Sequence, residues 1–326
     1  MKLSYEQLKS ITCGATHHEA CDNGVRFWRM TEAQIKHYRE RGDEHQASWA
    51  ERSAGVRLAF LTDSRTLTFS VDLLPDLTGR HLGFDVYENG VMIAHFGEEG
   101  KPVKNCFTKL DAGEKLVEIY FPWDKSVILN ELCLDDGATI VPHKRSRTLL
   151  AFGDSITHGA HAVYPSLSYI HRLARMLDAD LENRGVAGDK FSSVIAAEEP
   201  FESPDIVTVA YGTNDWSHMS LERFERECPT MLDILAKRYA TAQIFVISPI
   251  WRADWDRETA IGIPLRAIYG KLCEYTAAYS NVTVIDAWNF VPHLPAFFGD
   301  GSLHPNDLGF GLYAECLYAE IRKHLK

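Results

Sequence analysis

The chain has 326 residues, 45% of them hydrophobic and 24% charged, and carries a formal net charge of -11 at pH 7. That length suggests two domains, each able to bury a core, and the acidic balance argues against a nucleic-acid partner, whose phosphates need a basic surface. No apolar run approaches the roughly 18 residues of a membrane span. The start, Met1 to Gln7, lacks the apolar segment of a secretory leader, and the seven cysteines are scattered without a CxxC pair, the pattern of reduced thiols in a cytoplasmic protein.

The first 50 residues carry few signals beyond a short helix expected over Thr31 to Tyr38. From about Gly55 to Val141 short strands follow one another. Arg57 to Thr62 is one. Thr66 to Leu73 alternates apolar and polar residues with period two. Phe84 to Tyr87 and Val91 to Ala94 flank Glu88-Asn89-Gly90, a hairpin signal, because Asn-Gly suits a tight turn with φ > 0 at both central residues. Leu116 to Phe121 and Val127 to Leu134 complete a set that lacks long helices, as expected of a β-sandwich or jelly-roll-like module.

The texture changes near Pro142 to Ser146, which places a domain boundary at 145/146. Beyond it strands and helices alternate. Strands are expected at Arg147 to Phe152, Leu181 to Arg184, Ile206 to Ala210, Ile244 to Ile247 and Val282 to Ile285. Helices are expected at Ser166 to Leu177, Phe191 to Ala197, Ser220 to Tyr239 (broken or kinked at Pro229), Ile263 to Ala278 and Asp307 to His324. Continuous apolar strands between helices imply a parallel sheet covered on both faces.

In such sheets ligands bind beyond the carboxyl ends of the strands. Four segments fall there. Ser155 lies in Gly153-Asp154-Ser155, Gly188 in Asn183-Arg184-Gly185-Val186-Ala187-Gly188-Asp189, Asn214 in Tyr211-Gly212-Thr213-Asn214-Asp215, and His304 in Leu303-His304-Pro305-Asn306. Taken singly each has a bland explanation: a capping serine, a glycine turn, an Asx turn or one of 14 histidines. Together they supply a nucleophile, a base of near-neutral pKa and donors for an oxyanion in the Ser155 N–H, the Gly188 N–H and the Asn214 amide.

These four segments, over residues 147–324, resemble the SGNH hydrolases, also called the GDSL esterase/lipase superfamily. The resemblance implies a three-layer α/β/α, flavodoxin-like catalytic domain, hydrolysis through an acyl-enzyme on Ser155 with His304 as base, and no metal or organic cofactor. One block departs from the pattern. The family's aspartate stands three residues before the histidine, where this chain has Gly301, with Asp300 one residue earlier. Asp300 is the favoured partner of His304, with a Ser-His dyad as the alternative and Asp286 as a weaker one.

The segment Val56 to Ser64 also resembles the β-sandwich modules that precede SGNH domains in some carbohydrate deacetylases. Trp216, Trp251 and Arg252, near the strand ends, are candidate substrate contacts. The expected function is therefore a serine esterase releasing short acyl groups, above all acetyl, from a small-molecule or saccharide ester. The rivals are a longer-chain lipase or thioesterase and a catalytically silent glycan-binding module. Homo-oligomerisation stays open.

Overall fold

A computed structural model describes residues 1–74, 83–98, 101 and 103–325. The N-terminal part runs α1 (Tyr5–Ile11), β1 (Thr12–Cys13), β2 (His17–Cys21), β3 (Gly24–Trp28), α2 (Glu32–Glu40), α3 (Glu44–Ala50), β4 (Arg57–Thr62), β5 (Thr66–Leu73), β6 (Phe84–Glu88), β7 (Val91–Phe96), β8 (Asn105–Lys109), β9 (Lys115–Tyr120), β10 (Val127–Leu134) and β11 (Val141–Pro142). Two antiparallel sheets form, β1-β4-β9-β6-β7 with β11 on β4, and β2-β3-β10-β5-β8. Leu58, Phe60, Val86, Val117 and Ile119 of the first share a buried cluster with Phe27, Leu67, Phe69, Leu129 and Leu132 of the second. At the β6–β7 hairpin Asn89 and Gly90 have φ of 48° and 83°, the positive pair that the turn demands.

Strands β4, β6 and β9 of the first sheet are buried on both faces. Period two sends Arg57, Asp85, Tyr87, Glu118 and Tyr120 outward, yet all five are buried because that face docks on the second half of the chain. Arg57 pairs with Glu118 at 2.7 Å and also with Asp180. The Ser166 N–H donates to Asp85 at 2.8 Å, and the Tyr87 and Ser166 hydroxyls share a hydrogen bond of 2.9 Å. Buried charges persist only when paired in this way.

The second half contains β12 (Arg147–Gly153), α4 (Ser155–His158), α5 (Tyr169–Met176), β13 (Ala179–Asn183), α6 (Ser193–Ala197), β14 (Ile206–Ala210), α7 (Thr213–His218), α8 (Leu221–Arg238), β15 (Gln243–Ile247), α9 (Ala267–Thr276), β16 (Val282–Ile285) and α10 (Asp307–Ile321). The parallel sheet has the order β13-β12-β14-β15-β16, second-first-third-fourth-fifth along the chain, which is the flavodoxin-like order. Alternate residues of each strand feed opposite layers. Leu150, Phe152, Val207, Val209, Ile244 and Val246 pack with α6, α8 and α9, whereas Leu149, Ala151, Phe245 and Ile247 pack with α5 and α10. Burial on both faces explains why the central strands β12, β14 and β15 read as largely apolar runs.

Two expectations change. The helix over Ser220 to Tyr239 does not break: α8 is continuous through Pro229, anchored by buried Phe224, Cys228, Met231, Leu232 and Leu235. One lost N–H bond is outweighed by that packed stripe. Secondly, α2 and α3 share a core with the parallel-sheet unit and not with the sandwich. Met30, Ile35, Tyr38, Ala47 and Ala50 lie in one cluster with Phe152, Val186 and Phe191. The two sheets of the sandwich thus lie before residue 146, but this pair of helices is built into the parallel-sheet unit.

Candidate active site

Strand order reverses between β12 and β14, and the crevice beyond their carboxyl ends is where open α/β sheets bind ligands. Ser155 leaves β12 as the first residue of α4, with Asp154 as N-cap accepting the Ile156 N–H at 2.9 Å. The Ser155 N–H, at the first helical position, has no acceptor within the helix. Ser155 Oγ lies 2.8 Å from His304 Nε2, and His304 Nδ1 lies 2.7 Å from Asp300 Oδ2.

The extra residue in the last loop is accommodated by Asp300 itself. Its Oδ1 accepts the N–H groups of Ser302, Leu303 and His304 at 2.9, 2.8 and 3.1 Å. The backbone therefore wraps around the carboxylate, and Gly301 takes φ 74°, a left-handed conformation that glycine adopts without steric cost. Burial pushes the Asp300 pKa up, but the hydrogen bonds from His304, Leu303 and Ser302 outweigh it and hold the group well below the usual carboxylate range. Asp286, the weaker candidate, pairs with Arg266 and accepts from the Ser248 hydroxyl. Asn306 caps α10 through the Leu308 and Gly309 N–H groups, which fixes the chain immediately after His304-Pro305.

The second and third blocks are laced to the first. Val186 N–H donates to Gly153 O at 3.0 Å, and Asn183 Nδ2 to Thr157 O at 3.0 Å. Gly188 has φ 78°. Asn214 donates one amide hydrogen to Asp189 O at 3.1 Å, which orients the amide and leaves its second hydrogen for another acceptor. Asp189 is fully buried and accepts from Tyr38 at 2.9 Å and Tyr211 at 3.3 Å, so α2 buttresses the glycine loop.

Two of the three candidate substrate contacts are revised. Trp216 has no exposed surface and donates Nε1–H to Ile263 O at 3.0 Å, so it is a core residue beneath the loop. Arg252 is 8% exposed. It donates to Thr213 Oγ1 at 3.0 Å, Ser217 Oγ at 2.8 Å and Asp254 at 2.6 Å. Its donors staple the 251–255 loop to α7, behind Asn214, instead of facing an anion. Trp251 is half-buried, stacked on His293 at 5.0 Å and tilted against Phe298 at 5.4 Å. It flanks the Asp300 loop, to which Ala253 N–H is also tied through Ser302 O at 2.9 Å.

One site residue escaped the sequence reading. His161 stacks on His304 with ring centroids 5.0 Å apart and has φ 73°, a strain of roughly 1–3 kcal/mol for a residue with a Cβ. Only its occurrence six residues after Ser155, in Gly159-Ala160-His161, could have drawn notice. His161, Asp300 and His304 are the set of metal-capable side chains found among the described residues, with ligand atoms within 4.8 Å of one another. Two of them are already committed to the relay with Ser155.

Behind Ser155, the Asp154 pKa is raised to about 7: burial pushes it up, the Ile156 N–H pulls it down, and the charges of Asp215 and Asp189 add to the rise. The sign follows from linkage. A folded-state pKa above the usual 3.8 favours the folded protonated form, so that stability is full below about pH 4 and is lost as pH rises through about 7. Asp154→Asn keeps an oxygen for the Ile156 N–H and has no charge to bury. Melting temperatures at pH 5 and pH 8 should show a fall in the wild type that is clearly smaller in the variant; an equal fall would rule Asp154 out as its source.

A serine bonded to a histidine, backed by an aspartate at the switch point of a flavodoxin-like sheet, defines the class of SGNH carboxylic-ester hydrolases. Residues 151–312 match the GDSL-like lipase/acylhydrolase family, and the parallel-sheet unit belongs to that family. A GDSL esterase/lipase of Arabidopsis thaliana is 25% identical over 215 residues, which cover 55% of this chain and 86% of the relative. Among solved structures, the salicylyl-acyltransferase SsfX3 of a tetracycline biosynthetic pathway superposes with a TM-score of 0.79 at 21% identity, covering 96% of this chain and 94% of that one. A family two carbohydrate esterase from Clostridium thermocellum, in complex with cellohexaose, superposes with a TM-score of 0.67 at 15% identity, covering 96% and 98%. These structural likenesses extend over the sandwich as well as the parallel-sheet unit, and at such identities they speak to fold.

Proposed function

We propose that the chain is a serine esterase that removes short acyl groups, acetyl foremost, from a hydroxyl-rich small molecule or saccharide. The observation that carries it is the continuous relay Ser155 Oγ–His304 Nε2 at 2.8 Å and His304 Nδ1–Asp300 at 2.7 Å. His304 takes the Ser155 proton as Oγ attacks the ester carbonyl. The Ser155 and Gly188 N–H groups and the free hydrogen of Asn214 stabilise the oxyanion. The C–O bond to the alcohol then breaks, and His304 returns its proton to the leaving oxygen. Water, deprotonated by His304, attacks the acyl-Ser155 ester; collapse releases the carboxylic acid and restores Ser155.

The saccharide part is supported by the shared two-unit layout with a carbohydrate esterase, and the acetyl part by the likeness to an acetyl xylan esterase. A second reading, acyl transfer to an acceptor other than water, is supported by the likeness to an acyltransferase. One assay separates them. With p-nitrophenyl acetate, butyrate and octanoate and a set of acetylated saccharides, kcat/KM is expected to fall with acyl length and free acetate to accumulate from the saccharides. A rate rising toward octanoate would overturn the acetyl preference. Stoichiometric appearance of a new ester on an added alcohol, with no free acid, would favour transfer.

A further inference from the structure

Besides Tyr38, the N-terminal half brings another side chain, Gln46, to the Gly188 loop. Gln46 lies on α3 and is 3% exposed. Its Nε2 is 3.5 Å from where a Cβ on Gly188 would stand. Its Oε1 is buried and has no hydrogen-bond partner among the described residues. Buried amide oxygens are nearly always paired, and groups left unpaired in a free site are those that a bound ligand completes.

The backbone that carries Gln46 is firmly held. Its backbone N–H is tied to the capping Asp43 carboxylate at 3.0 Å. Its helix is held by the buried Arg29 guanidinium, which donates to Trp49 O at 2.9 Å and to Asn183 O at 2.9 Å. Arg29 thus joins α3 directly to the residue that ends β13 and opens the Gly188 loop. The neighbouring Ala47 and Ala50 are buried in the core of the parallel-sheet unit. The amide is therefore presented beside Gly188 by a rigid scaffold.

We propose that Gln46 is a specificity residue of this site, whose amide pairs with a free hydroxyl that the substrate carries next to its ester. The inference rests on the esterase reading above. A hydroxyl donates to Oε1 and accepts from Nε2–H. A carbonyl or ether oxygen could only accept and would leave Oε1 unpaired. The substrate class is thus the partial esters of polyols, with a hydroxyl on the carbon next to the acylated one.

The test uses a near-isosteric pair of esters, 2-hydroxyethyl acetate and propyl acetate, which differ by a hydroxyl in place of a methyl group. The wild type is expected to prefer the hydroxylated ester in kcat/KM by about 10-fold or more. Gln46→Met, which keeps the side chain's length without its amide, is expected to bring that ratio close to one. Gln46→Glu, which keeps an acceptor, is expected to retain part of the preference, and it serves as the second variant should Gln46→Met fold poorly. A ratio unchanged in both variants overturns the proposal, as does a wild type that treats the two esters alike. If the wild type hydrolyses neither ester and Ser155 fails to react with a fluorophosphonate, the esterase reading itself falls; phosphonate labelling together with ester turnover but no hydroxyl preference sinks the Gln46 proposal alone.

Discussion

Ser155→Ala lowers turnover of p-nitrophenyl acetate by roughly 10⁴–10⁶-fold, the range found when the nucleophile of a serine relay is removed. In the proposed mechanism Oγ forms the acyl bond, and its 2.8 Å contact with His304 Nε2 is the path for the proton it gives up. Methyl in place of hydroxymethyl leaves the oxyanion donors in place, so residual catalysis comes from polarisation and binding alone. The fold should survive. Ser155 opens α4, where Asp154 supplies the cap, and alanine is a good helix former. The loss is one hydrogen bond, about 1 kcal/mol, which shifts the melting temperature of a chain this size by only a few degrees. His304→Ala should cost about as much, and the two losses should not add, because both groups act in one step. Rapid-quench and steady-state assays check the rate and calorimetry the fold. Retention of a tenth or more of wild-type turnover in a well-folded Ser155→Ala protein would take Ser155 out of the mechanism.

Much of the site could be read before any coordinates because SGNH chemistry is strung along one topology. Each block follows a parallel strand, the last at some distance, so Ser155, Gly188, Asn214 and His304 are ordered in the chain as the strands are. The central parallel strands β12, β14 and β15 are easy to see, since burial on both faces makes them largely apolar. What could not be read depends on contacts across large sequence separations. Asp85, Tyr87 and Glu118 stand at outward positions of strands and look solvated, yet they are buried against α5 and its neighbours. Trp216 and Arg252 sit near Asn214 in the chain and at a strand end, which suggested ligand contacts. Their local positions were right, but their side chains turn into the protein, to Ile263 O and to Thr213, Ser217 and Asp254. The 31–50 region gave only one helix, because α3 is short and its apolar face is defined by a core contributed by residues more than a hundred positions away. His161 and Gln46 were invisible for the same reason. Neither belongs to a local pattern, and only the folded chain sets one over His304 and the other beside Gly188.

Asp300→Asn is the second large effect, expected at roughly 10²–10⁴-fold in kcat with the loop preserved. The direction follows from how the carboxylate is held. Oδ1 accepts three backbone N–H groups and Oδ2 accepts from His304 Nδ1. An asparagine must keep its oxygen toward the three N–H groups, since the opposite orientation would set an NH2 against three donors. The amide nitrogen is then forced to face His304 Nδ1. Two donors cannot share that contact, so the imidazole is driven to the tautomer with Nδ1 bare and the proton on Nε2. That tautomer can donate to Ser155 Oγ but cannot accept its proton, which removes the base while leaving every heavy atom nearly in place. Asp300→Ala differs in a useful way: it loses the three backbone contacts too, so it should loosen the 300–304 loop and lower thermal stability as well as rate. A deficit in the asparagine variant without a fall in melting temperature therefore identifies the tautomer, not loop disorder, as the cause. NMR of the ring nitrogens should show the proton moved from Nδ1 to Nε2. If Asp300→Asn instead turns over at the wild-type rate with an unshifted ring proton, His304 works with Ser155 as a dyad and the displaced aspartate serves the loop alone.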